Sequence, residues 1–454
     1  MQRRHFIKNS LLATGAVAIT SCTEEKKAGD PRNFKGRVAI IGAGAAGLYA
    51  GFLLQQAGAE YVIYEASDRV GGRIRPLKGF SDFEIELGAE EIHGKNSIWY
   101  GWVKSTTAAL IDTKTTDFFQ VGNVFKNEAQ WSNDADFQAA LRLSDQARNY
   151  TSTDINLQQL MDNNRLAQRV QHIVNAQVAN EYGTSANRLS VKGVSEEDLI
   201  WSAGDENFTV AGRSFLSVLE EKCKDVLPKV RINTPISQID YRSERIVLTD
   251  AQSQRYQADK LIITAPLAIL QAGDIQFLPP LPDSKINAFK KIGMDAGLKI
   301  FLSFNKRFWA ADTGSLYGPG LVPEFWVASR GRSTQAHVLT AFVNGTRAET
   351  LIGLGSKAVQ TVVQELDNMY GSGVASGSLT NAYIMDWRKE PYIKGAYSYP
   401  LVGATGARSE LASAVMRKMY FAGEATHFGG HSGTVHGAME SAQRAVSELF
   451  RDVG

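Results

Sequence analysis

The spacing of apolar residues changes along this chain, and each change marks a different kind of element. Residues 37–41 (RVAII) are an apolar run that predicts a strand. Residues 45–57 are helical in composition, and 61–64 (YVIY) predict a second strand that ends in Glu65. From about 98 to 205 the apolar residues take helical spacing with few β-branched runs, as in DADFQAALRLSDQARNY and LQQLMDNNRLAQRVQHIVNAQVANEY. The stretch VRINTPISQIDYRSERIVLTDAQSQRYQADKLIITAPLAIL alternates as short strands and closes on a buried apolar strand at 261–264. Between about 285 and 385 the pattern is strand-rich (GLKIFLSF, PEFWVAS, HVLTAFVNG, SLTNAYIMDW), with one helical stretch before the last strand. No internal repeat or low-complexity tract interrupts it.

A chain of 454 residues is too long for one ordinary core, so two domains are expected. Its 44% hydrophobic and 21% charged residues are globular proportions, and a net charge of +2 offers no argument for nucleic-acid binding. The first residues read as targeting rather than fold. MQRRHFIKNSLLATGAVAITSC places Arg3, Arg4 and Lys8 before a short apolar run and small residues, as in a secretion signal at 1–21. RRHFIK resembles a twin-arginine export signal. ITSC resembles a lipoprotein box, with Cys22 as the acylated residue and 22–35 as a polar tether. The expectation is an exported protein, periplasmic or at the cell surface, anchored by lipid and lacking a spanning helix. If Cys22 is acylated, Cys223 has no cysteine partner and no internal disulfide forms.

The most informative motif lies between the first two strands. Gly42, Gly44 and Gly47 form G-x-G-x-x-G, preceded by a strand, followed by a helix, and completed by Glu65, 23 positions past the first glycine. Gly42 permits the tight turn, Gly44 lets the backbone approach a pyrophosphate, and Gly47 lets helix and strand pack closely. Glu65 can accept hydrogen bonds from a ribose diol. This is a dinucleotide site.

EASDRVGGRI then sets Arg69, Gly71, Gly72 and Arg73 directly after the acidic residue, and the combination resembles the extended FAD signature of the flavin amine oxidase family. That family includes monoamine and polyamine oxidases, L-amino-acid oxidases and histone demethylases. The resemblance runs in order over nearly the whole mature chain. It implies an α/β fold: a Rossmann-type FAD-binding domain (36–97, 206–284 and 386–454) interleaved with an α+β substrate-binding domain (98–205 and 285–385), an antiparallel sheet flanked by helices. FEIELGAEEIHG, with Gly88 and Ala89, resembles the segment beside the flavin ring, and IHG places His93 near the flavin or the substrate mouth. The resemblance also implies cofactor contacts from Ala46, Arg73, the backbone of Ile236, Gly423, Glu424, Thr434 and Val435, the last two at a helix start whose amides would face the flavin.

The chemistry implied is transfer of a hydride from the carbon beside an amine nitrogen to flavin N5, with O2 reduced to H2O2 and the imine hydrolysed. Lys299 sits in an apolar strand, where a charge needs a partner, and matches the family lysine that bonds a water near N5. DWRKEPYIKGAYSYP resembles the segment in which Trp387 lies against the flavin and Tyr397 forms a wall of the substrate site. Some monoamine oxidases attach FAD to a cysteine at the position of Ala396, so here FAD is expected to be non-covalent. The second tyrosine wall of those enzymes is replaced by Thr434. No metal is expected. Glu91, with Glu90, suits a cationic amine, and the leading expectation is a primary or secondary amine, a polyamine included. Arg75 could instead take a substrate carboxylate, which keeps an L-amino-acid oxidase open. A flavoprotein scaffold without turnover is the remaining alternative. Oligomeric state is left open.

Overall fold

The computed structural model describes residues 34–113 and 115–453. The twin-arginine motif, Cys22 and nearly all of the tether lie outside the described residues.

The glycine motif sits at the centre of a five-stranded parallel sheet. Its order is Val230–Arg231, Glu60–Tyr64, Arg37–Ile41, Lys260–Ile263, Met419–Phe421. Central parallel strands are covered on both faces, which is why VAII and LII read as unbroken apolar runs rather than alternating ones. One face packs under the helices Ala45–Gln56 and Val435–Val453, with Leu48, Leu54, Met439, Ala442 and Leu449 buried between them. The other face carries Ile41, Ile263 and Phe421 into a core shared with the strands Ile236–Asp240 and Ile246–Asp250. The last helix of the chain is therefore a layer of the first domain.

The second large sheet has seven strands in the order Leu379–Asp386, Gly297–Phe304, His337–Asn344, Glu324–Val327, Thr313–Tyr317, Thr116–Val121, Val124–Asn127. Its pairings are antiparallel except one, Thr313–Tyr317 with Thr116–Val121, which is parallel. Two of these strands come from the stretch expected to be helical. The sequence TDFFQV-GN-VFKN is a two-residue hairpin, with Gly122 at φ +61° in the turn. Helices do follow, at Ala135–Arg148, Leu157–Asn163, Gln168–Val174 and Val191–Leu199, with a π-helical turn at Asn175–Asn180. Residues 98–112, expected to open the substrate domain, pack instead on the nucleotide-binding core: Trp99 and Val103 are buried there, and Ala109–Asp112 pairs with Asn207–Ala211. Among the described residues no helix is long and apolar enough to cross a membrane.

Candidate active site

Alternation along Gly297–Phe304 decides where Lys299 points. Leu298, Ile300 and Leu302 enter the core beneath the seven-stranded sheet, so Lys299 and Phe301 face the other way, toward the first domain. There the two domains enclose a cavity of about 730 Å³. One end is the glycine turn with Glu65 and Arg73; the other is Lys299, Trp326, Phe342, Trp387 and Tyr397.

The glycines perform three different tasks. Gly42 has φ +98°, a conformation costly for other residues. A Cβ on Gly47 would lie 1.9 Å from the Gly42 carbonyl oxygen, so this glycine is demanded by helix-to-turn packing. A Cβ on Gly44 would meet nothing closer than 4.0 Å: that face is open to the cavity, as a backbone approached by a pyrophosphate must be. Glu65 is buried and already accepts from Ala43 N (2.6 Å), Ser67 N (2.9 Å) and Ser67 Oγ (2.7 Å), which hold its carboxylate at the rim. These residues fit a dinucleotide.

Glu424 is the hub of the opposite wall. Its carboxylate accepts from Arg73 Nη1 (2.9 Å), Ser398 Oγ (2.6 Å) and Gly433 N (3.1 Å), and it is only 5% exposed. Burial opposes its ionisation, but Arg73, Ser398 and Arg408 outweigh that and hold the carboxyl below its usual range. Arg73 also donates to the Ala396 carbonyl (2.8 Å). Arg408 continues the network from Ser398 Oγ (2.7 Å) to Glu197 (2.7 Å) on the helical layer. One carboxylate thus ties together the three segments RVGGRI, GAYSYP and SGTVHGA.

Tyr397 is held between Gly183 and Gly433, where added Cβ atoms would come within 2.9 and 3.1 Å of its ring. Its hydroxyl donates to the Glu181 carbonyl (2.6 Å), just past the π-helical turn. Trp387 donates to the Leu87 carbonyl (3.1 Å) and its ring lies against Gly88. Lys299 is buried. Its ammonium donates to the carbonyls of Glu86 (3.2 Å) and Gly88 (2.8 Å) and pairs with Glu90 Oε2 (2.7 Å).

Most residues singled out from the sequence line this cavity: Gly42, Gly44, Ala46, Glu65, Arg73, Arg75, Gly88, Ala89, Glu91, His93, Lys299, Trp387, Tyr397, Gly423, Glu424, Thr434 and Val435. Thr434 Oγ1 accepts from Gly437 N (2.9 Å) and donates to the His431 carbonyl (2.7 Å), so it caps the helix that follows. His93 Nδ1 shares a hydrogen with Asn207 Oδ1 (2.8 Å), and burial pushes the Glu91 carboxyl up. Arg75 is paired with Glu390 (2.9 Å). One expectation shifts. Ile236 is buried in the adjoining sheet and does not line the cavity; Asn233, in the turn before that strand at φ +52°, does. Next to Tyr397 and Ser398, Tyr399 turns into the helical core. Trp326 and Glu181 were not predicted as site residues, and Glu90 was expected at the site mouth but not as the partner of Lys299, because only tertiary packing brings these groups together.

Among the described residues the one His/Cys/Asp/Glu group close enough to hold a metal is His427, His431 and Glu440. Its protons are arranged against ligation. His427 Nδ1 accepts from His431 N (3.1 Å) and His431 Nε2 from Ser202 N (3.2 Å), so the nitrogens facing Glu440 carry the hydrogens. Burial opposes ionisation of Glu440, yet these two N–H groups bring it down to about 2.

Comparison with known proteins agrees with this geometry. Residues 40–105 match an NAD(P)-binding Rossmann-like domain. The chain is 26% identical to lysine-specific histone demethylase 2 of Homo sapiens over 99% of its length, but spans only 56% of that protein. It is 26% identical to polyamine oxidase 4 of Oryza sativa subsp. japonica, across 97% of this chain and 93% of that one. In fold it matches putrescine oxidase bound to putrescine and cyclohexylamine oxidase from Brevibacterium oxydans IH-35A, each with a TM-score of 0.78 and 18% identity, covering 92% of this chain and 99% of the other. Residues 213–449, more than half of the chain and the part that carries Lys299, Trp387, Tyr397 and Glu424, match the model of flavin containing amine oxidoreductases, and the chain belongs to that family.

Proposed function

We propose that this protein is an FAD-dependent amine oxidase that binds FAD without a covalent link and oxidises a primary or secondary amine, polyamines included, to an imine, with O2 as acceptor. The observation that carries this is the continuity of one cavity from the glycine turn to the Lys299–Trp387–Tyr397 wall. Bound FAD would supply the hydride acceptor; the chain supplies everything around it. Gly44, Glu65, Arg73 and Glu424 suit the dinucleotide end. The walls of Trp326, Phe342 and Tyr397 desolvate a substrate nitrogen and so favour the neutral amine, whose lone pair is needed for hydride loss. Among the described residues the one free cysteine, Cys223, is buried in the nucleotide-binding core, and Ala396 stands at the cavity, so no thiol is available for a covalent link. Acidic Glu90 and Glu91 at the substrate end, the first paired with Lys299, support an amine rather than an amino acid as substrate; the Glu181 carboxylate is engaged with Arg148 (2.8 Å). Arg75, which an amino-acid oxidase reading would need, is already met by Glu390. Peroxide release from a panel of monoamines, diamines, polyamines and L-amino acids tests the assignment. Activity confined to amino acids overturns the substrate class, and failure of every amine to reduce the flavin leaves only a scaffold.

We further propose export by the twin-arginine route and a lipid anchor on Cys22, supported by RRHFIK and ITSC. A twin-arginine route carries folded proteins, which suits a cofactor inserted before export. Cys22→Ser should release the protein from membranes; a wild type that is already wholly soluble after export overturns the anchor.

A further inference from the structure

We propose that Glu90 sets the charge that Lys299 presents to the cavity, acting as a positioning and charge-balancing residue for the flavin ring. The inference rests on the reading that this cavity holds a flavin with its ring end beside Lys299. An ammonium group has three donors, and here all three have acceptors within the chain: Glu86 O, Gly88 O and Glu90 Oε2. The ion pair is short at 2.7 Å, and its side chains are only 6% and 11% exposed, so water screens it little. Trp326 closes the pair from outside. Its Nε1 donates to Glu90 Oε1 (3.3 Å), and the Lys299 ammonium lies 5.0 Å from its ring centre. The other charged groups acting here do not replace Glu90. Glu86 meets Lys299 only through its backbone carbonyl; its carboxyl accepts from Phe215 N (2.6 Å), and burial pushes it up to about 8. Arg332 and Arg330 keep their charge but donate to the Ala328 carbonyl (3.1 Å) and to Thr115 (3.0 Å), so neither takes the place of Lys299 on Glu90. The lysine therefore reaches the cavity as half of a neutral pair, not as a free cation.

Flavin gains negative charge on reduction, so a nearby net cation raises its midpoint potential and a net anion lowers it. The assay is the two-electron midpoint potential of the FAD-loaded protein by dye equilibration, which needs no substrate. Glu90→Gln keeps an oxygen acceptor for Lys299 but removes the compensating charge. It should shift the reduction equilibrium at least tenfold toward reduced flavin, about 30 mV upward. Lys299→Met should shift it at least tenfold the other way, and the double variant should return to within about threefold of wild type. Glu90→Asp, which keeps the charge, should stay close to wild type. If Glu90→Gln fails to retain FAD, the Lys299→Met shift alone decides: an unchanged potential overturns the proposal. It is likewise overturned if Glu90→Gln leaves the potential unmoved, or if the double variant stays tenfold or more away from wild type. A protein that never takes up flavin removes the underlying reading as well, an outcome distinct from a bound flavin with unmoved potentials.

Discussion

Removing the carboxylate of Glu424 should loosen the site from three sides at once. Glu424→Ala deletes an acceptor that is 5% exposed and leaves Arg73 Nη1, Ser398 Oγ and Gly433 N short of a partner. Breaking a buried pair by removing one member costs about 3–5 kcal/mol. Arg73 is a quarter exposed and keeps its bond to the Ala396 carbonyl, so the lower end, about 3 kcal/mol, is expected. Glu424→Gln keeps the shape and loses the charge, and should cost about 2 kcal/mol. Urea unfolding of apo- and FAD-loaded protein measures both, and a larger loss in the loaded form reports the cofactor share. The pH dependence gives an independent check. The folded carboxyl lies below its ordinary value of 4.5, so its contribution is present above that value and is lost as pH falls through the lower folded one. The gap between wild type and Glu424→Gln should therefore narrow as pH drops below about 5. A Gln variant within about 0.5 kcal/mol of wild type, with a parallel pH profile, would refute the hub role.

Gly47→Ala, with its Cβ 1.9 Å from the Gly42 carbonyl, should abolish FAD retention or folding, whereas Gly101→Ala, on a helix face with nothing within 4 Å, should be neutral or stabilising in a thermal melt. Glu86 has a folded value raised to about 8 by burial, so its contribution is full at low pH and is lost as pH rises from about 4.5 through 8; Glu86→Gln should flatten that decline in melts taken from pH 5 to 9. Acid precipitation should release yellow flavin to the supernatant, because Ala396 offers no attachment point; flavin retained in the pellet would contradict non-covalent binding.

The dinucleotide half of the site was legible because its instructions are local. Gly42, Gly44, Gly47 and Glu65 lie within one strand–helix–strand unit, and each residue type answers a backbone need that spacing alone reveals. The resemblance carried further, to Lys299, Trp387, Tyr397 and Glu424, all of which reach the cavity. Where local signals conflicted, reading the helical stretch as uniform missed the Gly122 hairpin, whose turn residue was visible in the sequence. Other features could not have been read there. Glu90 meets Lys299 across 209 positions, and Arg73 meets Glu424 across 351. Whether a carboxylate is a solvated surface charge or the partner of a buried ammonium depends on which strands close over it. That closure is settled by burial of Leu298, Ile300 and Leu302 on the opposite face of the same strand. The residue types were set by the chain, but their charges acquired meaning only where packing excluded water and fixed which groups each one faces.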